Sequence, residues 1–236
     1  MKIEVFCLVS NEELMMTYFM RHYGAFADII ILESCSTDRT VEIAHNAGAE
    51  IWSYDMKDEI NDQWFTYLKN TCWKESKAEW VMIVDVDEFI YHPNLMKVLQ
   101  YSPATVIRPR FYDMYSKEFP TTEGQIYSEV TMGVEQLSPN PKMNIFRPSA
   151  ITDMNYAPGC HDASPSGNVK IDIDTDIKTL HMRKLSLSYY LAKNESHSRR
   201  RSQLNKDNHW GDHVDLPKEE MIRKFENGLN NAVKIC

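Results

Sequence analysis

Asp85 and Asp87 stand two residues apart, directly after the apolar run Trp80-Val81-Met82-Ile83-Val84. In a regular strand an i, i+2 pair shares one face. Two like charges at the end of a buried strand are costly without a cation beside them. Hard carboxylate oxygens suit Mg²⁺ or Mn²⁺, and such an ion can also hold a diphosphate. It would neutralise charge building on a departing nucleoside diphosphate. A surface turn made of acids is the plainer alternative, and the apolar strand before the pair argues against it.

A sheet must position that pair. Lys2 to Ser10 reads as a buried strand, and Asn11-Glu12-Glu13 opens a helix that runs to His22 and stops at Gly24. Asp28 to Leu32 is a second strand, followed by a polar turn at Ser36, Thr37 and Asp38 and a helix over 40–47. Glu50 to Tyr54 is a third strand, Asn61 to Lys77 a helix, and Trp80 to Val84 a fourth strand. This alternation predicts an α/β fold with a parallel, doubly wound sheet, whose ligands sit at the carboxyl ends of strands. Beyond residue 100 the periodicity predicts strands at 105–111, 142–146, 151–156 and 177–182, and closing helices at 185–197 and 217–233.

Composition narrows the function. The 236 residues, 43% of them hydrophobic, suit one domain over 1–236. A net charge of −8 gives no footprint for nucleic acid. Arg199, Arg200 and Arg201 run against that balance, as either a solvated helix face or a phosphate or acceptor site. Five cysteines with no CxxC pair point to a reduced, cytoplasmic setting. No apolar run reaches the ~20 residues of a membrane helix, which leaves at most peripheral membrane association.

With these motifs in place, the chain resembles family 2-like glycosyltransferases of the GT-A fold, in the nucleotide-diphospho-sugar transferase superfamily. Val84-Asp85-Val86-Asp87-Glu88-Phe89 is similar to their D-x-D-E-F segment. Ser10-Asn11-Glu12-Glu13 resembles the x-N-E-E after their first strand. Ile31 to Thr40 resembles v-l-D-n-x-S-x-D-x-T after their second, with Glu33 in place of the usual Asp. The resemblance implies a GT-A mostly parallel central sheet flanked by helices. Residues 1–100 would form the nucleotide-sugar half, and residues 101–236 a smaller acceptor-side half with closing helices.

The same resemblance implies transfer of a sugar from a nucleoside-diphosphate sugar, UDP favoured, to a glycan or other hydroxyl acceptor, with inversion. Ser10, Asn11, Glu12, Glu33, Asp38 and Asp85 would contact the donor. Asp85 and Asp87 would hold Mn²⁺ or Mg²⁺. Tyr156 to His161 and Leu180-His181, followed by Ser186, Tyr189 and Lys193, are similar to later family segments, so His161 and His181 are candidate third ligands. His161 follows Pro158-Gly159, on a loop able to reach a cleft.

An inverting enzyme needs a carboxylate to take the acceptor proton. Asp113, among aromatics in Arg110 to Tyr115, is the first candidate and Asp162 the second; Glu118, Glu123 and Glu129 are further possibilities. Lys142 and Arg147 are candidates for diphosphate or acceptor contacts, and Trp210 to His213 for an acceptor rim. A nucleotidyltransferase would share the sheet and the Asp pair but usually carries a Gly-rich phosphate loop, which Val9 to Glu13 lacks. A glycoside hydrolase has no need of a metal-like D-x-D. A non-catalytic nucleotide-sugar-binding protein is the remaining alternative.

Overall fold

The structure is a computed structural model that describes residues 1–55, 57–137 and 142–236. Its strands are β1 (Ile3–Val9), β2 (Asp28–Glu33), β3 (Glu50–Ser53), β4 (Trp80–Asp85), β5 (Glu88–Tyr91), β6 (Val106–Ile107), β7 (Arg110–Tyr115), β8 (Met132–Glu135), β9 (Ile145–Phe146), β10 (Ile151–Asp153), β11 (Ser166–Gly167), β12 (Ile171–Asp172), β13 (Lys178–Lys184) and β14 (Val233–Lys234). The helices are α1 (Glu13–Tyr23), α2 (Thr40–Asn46), α3 (Asp62–Thr71), α4 (Leu95–Tyr101), α5 (Leu187–Arg200), α6 (Gln203–Asp207) and α7 (Lys218–Asn231).

A central sheet runs in the order β12-β6-β9-β4-β1-β2-β3. β4, β1, β2 and β3 are mutually parallel, while β9 lies antiparallel between β4 and β6. This is the mixed α/β, mostly parallel architecture expected from the alternation. Side-chain alternation explains why helices cover the sheet. Val5, Cys7, Trp80, Met82 and Val84 pack with Met15, Met16, Phe19 and Tyr23 of α1 in one buried cluster. Phe6, Val81 and Ile83 pack with Trp73 and Phe146 in another.

A second sheet runs β14-β8-β7-β13-β5. The Asp85-to-Glu88 turn is the seam: β4 ends in the first sheet and β5 begins in the second, antiparallel to β13.

Several boundaries differ from expectation for physical reasons. The strand expected over 105–111 is two strands in two sheets, because Pro109 has no N–H for a ladder. The helix expected to reach Lys77 stops at Thr71, and Trp73 turns inward against Phe146, 4.7 Å between ring centroids. β5, α4 and β8 were not expected. The closing helix α5 starts two residues late, where the Ser186 hydroxyl accepts from the Tyr189 N–H.

Candidate functional site

A cleft of about 700 Å³ opens over the carboxyl ends of β1, β2 and β4. Asp85, Asp87, Glu12, Ser10, His161 and His181 all line it. So do Asp62 and Lys69 of α3, Arg183 of β13 and Lys193 of α5.

Lysines surround the Asp pair. Asp85 Oδ1 accepts from Lys69 Nζ at 2.6 Å, and its Oδ2 from Lys142 Nζ at 2.5 Å. Lys142 also meets Glu88 at 2.6 Å. Burial works to raise the Asp85 pKa, but Lys142 and Lys69 hold it well below the usual carboxylate range. Asp87 is more enclosed, its side chain 6% exposed against 38% for Asp85. Lys193 Nζ lies 3.1 Å from Asp87 Oδ2 and 2.9 Å from Glu12. Burial opposes ionisation of Asp87 too, and Lys193, His181 and Arg183 outweigh it, so its pKa is also held low. The cost of burying two carboxylates is therefore offset by ammonium groups from α3, α5 and the segment before β9.

One part of this arrangement fits a divalent cation. His181 Nδ1 faces Asp113 Oδ1 at 2.8 Å, and its Nε2 points toward Asp87 Oδ1 at 3.8 Å. An Nδ1–H given to a carboxylate leaves the Nε2 lone pair free, the orientation in which a histidine ligates. Among the described residues no group of three His, Cys, Asp or Glu side chains forms a cation cage. Two protein ligands with the rest from phosphate and water suits Mg²⁺ and is compatible with Mn²⁺.

The other predicted residues fall into different places. Ser10 lines the cleft, and its hydroxyl accepts from Arg200 Nη2 at 2.7 Å. Asn11, with φ of 55°, accepts from the Thr37 and Asp38 N–H groups. Asp38 accepts from the Thr40 and Glu13 N–H groups. Asn11 and Asp38 thus stitch the loop after β1 to the loop after β2. Glu33 is buried and accepts from the Ser36 N–H at 2.6 Å, while its neighbour Ser34 lines the cleft with its hydroxyl unpartnered among the described residues.

Asp113 is buried on β7, one oxygen on His181 and the other on Lys184 at 2.8 Å. Burial opposes its ionisation, and His181 and Lys184 hold its pKa low nonetheless. His161 is exposed at the cleft, whereas its neighbour Asp162 is not among the described lining residues. Of the three arginines, Arg199 is exposed. Arg200 pairs with Asp58 at 2.7 Å, and Arg201 with Asp212 at 2.6 Å and with Asp215. Arg147 is away from the cleft, donating to carbonyls of 99, 102 and 104 under Trp80.

Sequence reasoning missed Lys69, Lys184, Arg183 and Asp62. A lysine or aspartate on an amphipathic helix looks like a solvated face, and nothing local to Lys69 distinguishes it. Asp62, at the start of α3, has no ion pair among the described residues, and burial raises its pKa.

No protein-family model matches the chain, and no curated protein sequence does. Among solved structures, S. aureus TarS 1–349 aligns over 94% of this chain and 68% of that one, with 13% identity and a TM-score of 0.46. The same fragment in complex with UDP gives 14% identity, 96% and 71% coverage and a TM-score of 0.46. Glucosyl-3-phosphoglycerate synthase from Mycobacterium tuberculosis, in complex with Mn²⁺, UDP and glucosyl-3-phosphoglycerate, aligns over 47% of this chain and 44% of that one, with 17% identity and a TM-score of 0.34. The chain thus spans about two thirds of the TarS fragment and under half of the synthase.

Proposed function

We propose that this chain is a GT-A glycosyltransferase that moves a sugar, with inversion, from a nucleoside-diphosphate sugar to an acceptor hydroxyl. The observation that carries the reading is the Asp85-Val86-Asp87 turn at the seam of two sheets, facing one cleft with Glu12, His181 and Lys193. The nucleoside, UDP favoured, would lie over the ends of β1 and β2, near Ser10 and Ser34. Lys69 and Lys142 would turn from Asp85 toward the diphosphate oxygens as charge-assisted donors. Asp87 and His181 would hold Mn²⁺ or Mg²⁺, which when bound supplies charge neutralisation for the leaving diphosphate.

Two cleft acids bear on the acceptor proton. Asp113 has both oxygens committed, and its chemistry suits fixing His181. Asp62 has no ion pair among the described residues, and burial raises its pKa, which suits a base better. Five unpaired cysteines support a reducing, cytoplasmic setting, and no helix among the described residues is long and apolar enough to cross a membrane.

The test is thermal stabilisation by a nucleoside-diphosphate panel with and without Mn²⁺, followed by mass spectrometry of nucleotide-sugar turnover. UDP with Mn²⁺ should stabilise the chain most. No stabilisation by any nucleoside diphosphate would overturn the reading. Release of pyrophosphate instead of a nucleoside diphosphate would make it a nucleotidyltransferase.

A further inference from the structure

The second sheet's bank of the cleft carries positive charge that the protein itself leaves uncompensated. Among the described Lys and Arg residues lining the cleft, Arg183 alone has no carboxylate within ion-pair distance. Lys69 and Lys142 share Asp85, Lys193 joins Asp87 to Glu12, Arg200 has Asp58, and Arg201 has Asp212 and Asp215. Arg183 instead donates to Asn194 Oδ1 at 2.9 Å and faces His197 Nδ1 at 3.5 Å, both neutral acceptors. Those two contacts fix the guanidinium and leave further N–H groups for a ligand, since it has five in all.

The surroundings agree. Burial, then Arg183 and Lys193, push the His197 pKa down to about 2, so that ring is neutral and adds no cation for Arg183 to repel. His213 also lines the cleft. The acids nearest in this field, Asp87 and Glu12, are both already held by Lys193. A half-buried arginine fixed by neutral groups in a low-dielectric cleft is a site for an oxyanion, which a guanidinium can meet with two parallel N–H donors.

The donor's diphosphate has cations of its own, Lys69 and Lys142, on the first sheet's side. Arg183 stands on β13 in the second sheet. We infer that Arg183, with His197 beside it, binds a phosphate group carried by the acceptor, so that the enzyme glycosylates a phosphorylated rather than a neutral hydroxyl compound. This rests on reading the cleft as a transferase site.

The probe is inorganic phosphate, titrated calorimetrically into the full chain saturated with UDP and Mg²⁺, and separately into the nucleotide-free chain. Phosphate should bind both forms, and Arg183→Gln should weaken it tenfold or more while UDP affinity changes less than twofold. Arg183→Lys should keep part of the phosphate affinity and, with its melting curve, shows that the fold survives.

The inference is overturned if phosphate fails to bind the UDP-saturated chain, if Arg183→Gln leaves phosphate affinity unchanged, or if it weakens UDP as much as phosphate. The last outcome would assign Arg183 to the donor. Failure of UDP to bind at all would defeat the transferase reading and with it the assignment to an acceptor, while phosphate binding to the nucleotide-free chain, measured separately, would still show whether Arg183 holds an oxyanion.

Discussion

Lys193 and Asp87 meet at 3.1 Å across the two sequence halves, the lysine from the closing helix α5 and the aspartate from the seam after β4. Both side chains are nearly enclosed, 7% and 6% exposed. The pair couples the helix over the cleft to the carboxylate beneath it, and Glu12 shares the same ammonium.

Removing that ammonium should be expensive. Lys193→Met leaves the Asp87 and Glu12 carboxylates enclosed together without their shared cation. Breaking a buried pair in this way costs about 3–5 kcal/mol. Urea denaturation should show a fall of that order. An unchanged midpoint would mean that solvent reaches the carboxylates.

Asp87→Asn should separate two modes of nucleotide binding. UDP affinity measured without metal should stay within a few-fold, since Lys69 and Lys142 remain beside Asp85. The gain in affinity on adding Mn²⁺ should disappear. Should Mn²⁺ still tighten UDP in the variant, the Asp87 and His181 assignment fails.

The two acids proposed for different tasks should give different kinetic signatures. Asp62→Asn should lower kcat by about 10²–10⁴, the usual worth of a general base, with little change in UDP affinity. It should also abolish the acid limb of the pH–rate profile, because the base works ionised and burial shifts that limb upward from where an ordinary aspartate would put it. Asp113→Asn should keep the limb and chiefly weaken metal binding through a misoriented His181. Loss of the limb in Asp113→Asn alone would exchange the roles.

His22 supplies a pH dependence remote from the cleft. Its Nε2–H donates to the Ile90 carbonyl at 3.1 Å, among the rings of Tyr23, Phe26, Phe89 and Tyr127. Burial pushes its pKa down to about 4, against 6.5 for an ordinary histidine. The unfolded chain therefore takes up a proton first as pH falls. Stability is intact above about 6.5, declines below it, and has lost ~3 kcal/mol from this group near pH 4. Comparing urea midpoints of wild type and His22→Gln from pH 7 to 4.5 should show the shallower decline in the variant. Parallel declines would assign the acid sensitivity to other groups.

The elements legible in the sequence were those with a single strong period. β4 and β1 are near-continuous apolar runs, and α1 carries a buried stripe of Met15, Met16, Phe19 and Tyr23. The second sheet was harder, because β5 follows β4 after a two-residue turn and the two read as one acidic stop. The Asp pair was visible for its chemistry, and Lys142 and Lys193 for their segments; Lys69, and the pairing of all three with the carboxylates, was not. Lys69, Lys142 and Lys193 come from three distant segments, and no local pattern marks a lysine that will be buried by tertiary contact. Asn11 and Asp38 show the converse. Their segment was recognisable, but in the structure their polar atoms hold two loops together.

The order of the two sheets along the chain divides the site's parts. Glu12, Lys69, Asp85 and Asp87 lie before β6, while Asp113, His181, Arg183 and Lys193 lie after it. Two complementary fragments cut in the loop before Val106 would each carry half of the constellation and neither would hold a complete one. On the proposed function, nucleotide-sugar turnover in a mixture of the two would report reassembly, the principle of a split-protein reporter.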